Sequence, residues 1–141
     1  MASIRFFTED IQFKLLHPRK TGNWIKETIL KEKKEQGNLN FVFCSDEYLH
    51  SINVQYLNHT TYTDIVTFDS SETKGLIEGD IFISVERIKE NASKFETSFD
   101  EELHRVIIHG ILHLIGYSDK GASKKTLMRR KEDTYLSLRK K

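Results

Sequence analysis

"FDEELHRVIIHGILHLIGYSD", residues 99–119, is the stretch whose reading decides the fold. Its apolar residues, from Leu103 through Ile107 and Ile111 to Leu114, cover much of a helix's circumference, so the helix reads as central and buried against a sheet. Asp100 opens it, with Glu101 and Glu102 in the first turn, where the positive end of the helix dipole favours acids. Gly116 can take the left-handed conformation that ends a helix and reverses the chain. His109 and His113 stand four residues apart, hence on one face, one turn from each other.

Working outward, "SIRFFTEDIQFKL" reads as extended. "WIKETILKEKKEQG" reads as a helix, with Trp24, Ile25, Ile29 and Leu30 at helical spacing and Gly37 at its stop. "NFVFCS" is a strand whose run Phe41, Val42, Phe43 predicts burial on both faces. Ser45 or Asp46 can cap the helix "DEYLHSINVQYLN", in which Leu49, Ile52, Val54 and Tyr56 are expected to face the core. A β-branched strand lies around Ile65–Phe68, "SSETKGLIEG" is a turn-rich connection, "DIFIS" another strand and "VERIKENASKFE" another helix. Residues from about 123 to 141 form a final basic helix. Strands alternating with helices predict an α/β or α+β sheet with helices packed on it.

The 141 residues suit one domain, and 38% hydrophobic with 11% aromatic residues excludes a disordered chain. The net charge of +1 is unevenly spread: residues 124–141 hold eight basic and two acidic side chains, a net of +6, which leaves −5 for residues 1–123. A basic end on an acidic body suits an anionic partner, nucleic acid first, and equally suits a solvated terminal helix. Cys44 is the one cysteine, so an intrachain disulfide or multi-cysteine zinc site is excluded. In its strand it reads as a small buried residue. No signal-like or membrane-spanning run is present, and the expected setting is cytoplasmic and reducing, with no membrane partner.

His109 and His113 can bind one metal ion from the same side, and the reversal at Gly116 can return Asp119 to them. Two imidazoles and a carboxylate make a three-ligand zinc set with open positions for water. The competing reading is a pair of hydrogen-bonded histidines on a core helix; the glycine and the third ligand weigh against it. His104, five residues before His109, points about 140° away. His17 and His50 read as surface or core residues, whereas His59 lies in a loop that could reach the cleft. The spacing also suits a metzincin protease, but Gly110 stands where such an enzyme needs its glutamate base.

"HGILHLIGYSD" resembles the signature HGxLHLxGYDH of the YbeY family of rRNA-maturation endoribonucleases. "INVQYLNHTTYTDIVTFD" is similar to the family's LNxxYRxxDxPTDVLSF, and "EGDIFIS" to its GDIxIS strand. The resemblance implies a single α+β domain, with a mixed four-stranded sheet and a metal site at the end of the central helix. It further implies Zn2+ on His109, His113 and Asp119, with aspartate where the family has histidine. The implied activity is single-strand-specific cleavage in 16S rRNA 3′-end maturation and ribosome quality control. The implied partners are rRNA, the small ribosomal subunit and a ribosomal protein.

Two departures bear on catalysis. Leu57 stands where the family has an arginine suited to clamp a phosphate, and Tyr62 stands in place of its loop proline. His59 and Asp64 are therefore the expected catalytic groups, with the basic C-terminal helix a further RNA contact. The alternative is a non-catalytic, zinc-containing ribosome-assembly factor.

Overall fold

The structure is a computed structural model that describes residues 2–58 and 61–140. Its strands are β1 (Ile4–Thr8), β2 (Glu35–Cys44), β3 (Ile65–Asp69) and β4 (Leu76–Ser84); its helices are α1 (Pro18–Lys31), α2 (Asp46–Leu57), α3 (Val85–Lys94), α4 (Phe99–Ile115) and α5 (Ala122–Arg139). The strands form one sheet in the order β1-β2-β4-β3. β1 and β4 run parallel to β2, and β3 is antiparallel to β4, so the sheet is mixed, in a single α+β domain.

One face carries the main core. Leu39, Phe41 and Phe43 of β2 and Ile77, Ile81 and Ile83 of β4 meet Ile25 and Ile29 of α1 and Ile107, Ile108 and Ile111 of α4. The period of two along each strand puts these side chains on one side. The other face bears a smaller cluster of Cys44, Leu49 and Val66, covered by α2. Because α2 covers only part of that face, Val42 is half-buried and β2 alternates where the run of apolar residues predicted burial on both sides.

Other expectations need correction. α1 stops at Lys31, and Gly37 lies inside β2, where the register shifts between Gln36 and Leu39. A Cβ there would come within 2.9 Å of Glu78 Cβ, so the glycine serves a close strand approach. On α2, Leu49 is buried, but Val54 and Tyr56 are exposed and Asn53 is buried in their stead, donating from Nδ2 to the Thr61 carbonyl at 2.9 Å. Ser45 caps α2, accepting from the Tyr48 N–H, while Asp46 pairs with Arg87 at 2.8 Å. Ser98 caps α4, so that helix begins one residue before Asp100.

α4 lies at the centre, packed on β3 and β4 and flanked by α1, α3 and α5. Gly110 faces the sheet: a Cβ would lie 2.8 Å from Ile65 Cδ1 and 3.3 Å from Ile81 Cγ2. Its missing side chain therefore sets how closely helix and sheet approach. α5 is more than a charged tail, because Met128, Glu132, Tyr135 and Leu136 are buried and the Tyr135 carbonyl accepts from Trp24 Nε1 at 2.7 Å.

A candidate active site at the end of the central helix

The end of α4 is built by a short chain of local bonds. Gly116 has φ 127°, and the Tyr117 N–H returns to the Leu112 carbonyl at 3.0 Å. This is the reversal that a left-handed glycine permits. Tyr117 then anchors the turn from outside, donating its hydroxyl to Glu32 Oε1 at 2.6 Å. Tyr135 and Lys131 of α5 hold the other oxygen of the same carboxylate, Lys131 at 3.0 Å. The fixed turn brings Asp119 Oδ2 to 3.6 Å from His109 Nε2.

Behind His109 stands Glu132. Its Oε2 lies 2.7 Å from His109 Nδ1, and its side chain is 6% exposed. A carboxylate only accepts, so Nδ1 donates the proton of that bond, and Nε2 is the ring nitrogen left to face Asp119. Arg105 holds Glu132 in turn, donating from one terminal nitrogen to Oε1 at 2.9 Å and from the other to Asp133 at 2.8 Å. Burial disfavours a charge on His109, but the Glu132 hydrogen bond and the charges of Glu132, Asp119 and Asp64 outweigh it, and its pKa is raised.

These groups line a cleft of about 330 Å³ that also takes in Asp64, Asn91, Phe95, Glu102 and Arg129. Burial pushes the Asp64 carboxyl above its usual range, against the pull of His109. Glu102 is raised by burial and then by the charge of Asp64. Displaced acid–base groups gathered in a cleft mark a candidate for proton-transfer chemistry. A larger groove of about 710 Å³, between the start of α1 and the end of α5, is lined by residues such as His17, Trp24, Glu27 and Arg139.

His109, Asp119 and Asp64 thus share the cleft. His113 lies one turn along α4 with its side chain exposed, and among the described residues no three of His, Cys, Asp and Glu are gathered as a ready metal set. The donors nevertheless suit a zinc-type ion: Nε2 of His109 is free, a carboxylate faces it, and Glu132 orients the imidazole as carboxylates behind metal-binding histidines do. His59 lies outside the described residues.

The other histidines are accounted for elsewhere. His104 is buried, donating from Nδ1 to the Asp100 carbonyl at 2.7 Å, with Thr21 on its other nitrogen at 3.4 Å. His17 occupies the position just before α1 without a side-chain bond to the helix, and His50 stacks on Tyr62 with ring centroids 4.0 Å apart. Tyr62 also donates to Glu47 at 2.8 Å, so the residue in place of the loop proline is pinned. Leu57, at the end of α2, is not among the residues of the cleft.

Sequence reasoning missed Glu132, Arg105, Arg129 and Phe95. Glu132 did leave a signal: it falls on the Met128, Tyr135, Leu136 stripe of α5, an acid at an apolar position.

An α+β sheet with a carboxylate-backed histidine in the C-terminal half of its central helix, facing a cleft of acidic side chains, defines a protein with a candidate acid–base site. The family model for Endoribonuclease YbeY matches residues 4–139, and the chain belongs to that family. The Cytophaga hutchinsonii protein named Endoribonuclease YbeY is 51% identical over 138 residues, covering 98% of this chain and 96% of that protein. The protein of the same name from Christiangramia forsetii is 50% identical over 135 residues, covering 96% of this chain and 93% of its own length. The solution structure of TM1509 from Thermotoga maritima is 30% identical with a TM-score of 0.69, covering 97% of this chain and 89% of that one.

Proposed function

We propose that this chain is a zinc-dependent endoribonuclease that cuts single-stranded RNA in the maturation of the 16S rRNA 3′ end and in ribosome quality control. The observation that carries the reading is the His109–Asp119 pair, 3.6 Å apart and backed by Glu132, in a chain matched to its family from residue 4 to residue 139. Its partners in this reading are rRNA and the small ribosomal subunit, with a ribosomal protein as a further contact, and its setting is cytoplasmic. No helix of the described residues is long and apolar enough to cross a membrane.

His109, His113 and Asp119 would hold the zinc ion. Bound there, zinc supplies Lewis acidity to a phosphodiester. Glu132 keeps Nδ1 protonated and so commits Nε2 to the cleft. Asp64 is the group that takes a proton at its carboxylate from the attacking hydroxyl, of water or of the ribose. Burial raises its pKa towards the working pH, which is what a general base needs. Asn91 Nδ2, 3.4 Å from Asp64 Oδ2, positions that carboxylate. The exposed cations of α5 provide a surface for RNA phosphates. The non-catalytic assembly-factor reading drew its support from Leu57 and from the lack of an obvious base; arginines from α4 and α5 line the cleft, so the lack of one at position 57 does not leave it without a cation.

The test is metal content and cleavage together. Purified protein should carry stoichiometric zinc and cut a single-stranded rRNA precursor. His109→Ala and Asp119→Ala should lose both. Cleavage that persists unchanged in His109→Ala would sink the proposal.

A further inference from the structure

The cleft around His109 holds two side chains to which the chemistry above gives no specific contact. Phe95 closes α3 and is 59% exposed, yet it lines the cleft beside Asp64 and Asn91. Its ring is not part of the described core, and Lys94 Nζ stands 5.7 Å from its centroid. Arg129 enters the same cleft from α5.

The two arginines there differ. Arg105 is committed, with its guanidinium on Glu132 and Asp133 and its side chain 17% exposed. Arg129 is 65% exposed, and its ion pair among the described residues is Glu132 Oε1 at 3.9 Å, too long for a hydrogen bond. Its exposed guanidinium is therefore open to an oxyanion. Arg129 also borders a shallow depression on α5 shared with Lys125 and Arg130, so positive charge continues away from the cleft.

An exposed aromatic ring, with Lys94 over one of its faces, and an open guanidinium at one small cleft match the two halves of an unpaired nucleotide. Bases stack on exposed rings, and a guanidinium suits phosphate oxygens. A base inside a duplex has both faces covered by its neighbours and cannot use the ring.

We propose that Phe95 and Arg129 form a one-nucleotide subsite, with Phe95 stacked on the base of an unpaired nucleotide and Arg129 holding the adjacent phosphate. This rests on the ribonuclease reading and adds the groups that admit an unpaired strand and refuse a duplex. It also gives the chain a phosphate contact in place of the arginine that Leu57 replaces.

The test uses the protein as purified with its metal. Binding of a fluorescent, 2′-O-methylated single-stranded oligonucleotide is measured by anisotropy across a salt series, and cleavage of unmodified RNA is followed in parallel. Phe95→Ala should weaken binding by roughly 5- to 150-fold, the range for loss of one stacked base, and Phe95→Tyr should restore it. With a single abasic position walked along the oligonucleotide, wild type and Phe95→Ala should converge at one position. Arg129→Ala should lower the salt slope by about 0.7, one phosphate contact on a single strand. Wild-type affinity and slope in Phe95→Ala and Arg129→Ala, with RNA cleavage intact, would overturn the subsite and leave the ribonuclease reading standing. A wild type that neither binds nor cuts RNA would overturn both.

Discussion

Glu132 Oε2 lies 2.7 Å from Nδ1 of His109, a contact between two helices that joins residues 23 apart in the chain. It makes the last helix a working part of the cleft. Glu132→Ala would leave Nδ1 without its acceptor and remove the partner that Arg105 holds at 2.9 Å. Loss of such a carboxylate behind a metal-binding histidine typically lowers metal affinity by about 10- to 100-fold. We expect a loss in that range, read by chelator competition on protein shown to be folded by circular dichroism. Glu132→Gln should be intermediate, since it keeps an acceptor without the charge. Unchanged affinity in both would remove Glu132 from the site.

Gly110 predicts a steric effect with a built-in rescue. Alanine there would place Cβ 2.8 Å from Ile65 Cδ1, at a fully packed helix–sheet contact. Overpacking of this kind costs about 1–3 kcal/mol. Ile65→Val removes the atom that clashes. In denaturant unfolding, Gly110→Ala should therefore be less destabilising in the Ile65→Val background than in the wild type. Additive costs would show that the clash is relieved elsewhere.

The approach of Asp119 to His109 was legible because it is local, whereas His113 lies outside the residues that line the cleft. The i, i+4 spacing puts His109 and His113 on one face, and a left-handed glycine after an apolar run turns the chain whatever surrounds it; the Asp119–His109 approach follows from those two facts. Glu132 and Arg105 escaped because their pairing is tertiary: no periodicity within α5 says which helix its buried acid will meet. The fold shows the same division. The mixed sheet agrees with the resemblance, and α4 with its own apolar pattern. Gly37 misled because a glycine that ends a helix and one that permits a close strand approach look alike without the partner strand, here the one bearing Glu78. Val54 and Tyr56 misled because α2 covers only part of its face of the sheet, so a narrower stripe is buried than the pattern suggests.

Glu32 gives the protein an acid-sensitive strut. Burial works to raise its pKa, but hydrogen bonds from Tyr117, Tyr135 and Lys131 outweigh that and hold it below its ordinary 4.5. A depressed carboxylate contributes stability that is fully present above the unfolded value and is lost as pH falls through the folded one. Glu32→Gln should thus be less stable than wild type at pH 6, and the gap should close as pH drops below about 4.5. Thermal unfolding of the two proteins from pH 6 to pH 3 provides the comparison. A gap that stays constant would mean that the charge on Glu32 contributes nothing.

Cys44 should behave as inert packing. It is fully buried at the end of β2, and burial, reinforced by the nearby charges of Asp10, Asp46 and Glu9, pushes its thiol up to about 12. The thiolate is the reactive form, so alkylation by iodoacetamide at pH 8 should be negligible in the folded protein and rapid in denaturant. Fast labelling without denaturant would reveal an opening of the smaller core.

The tight seat of Gly110 also bears on how far this architecture could be diverted to other chemistry. The histidine spacing lies one residue away from a peptidase motif, with glutamate needed where glycine stands. That residue is aimed at Ile65 and Ile81, so a glutamate would drive a carboxylate into the hydrocarbon between helix and sheet. Acquiring the new base would require Ile65 and Ile81 to give way at the same time. The contact that seats α4 on the sheet thus opposes the one exchange that would bring the peptidase's base into this motif.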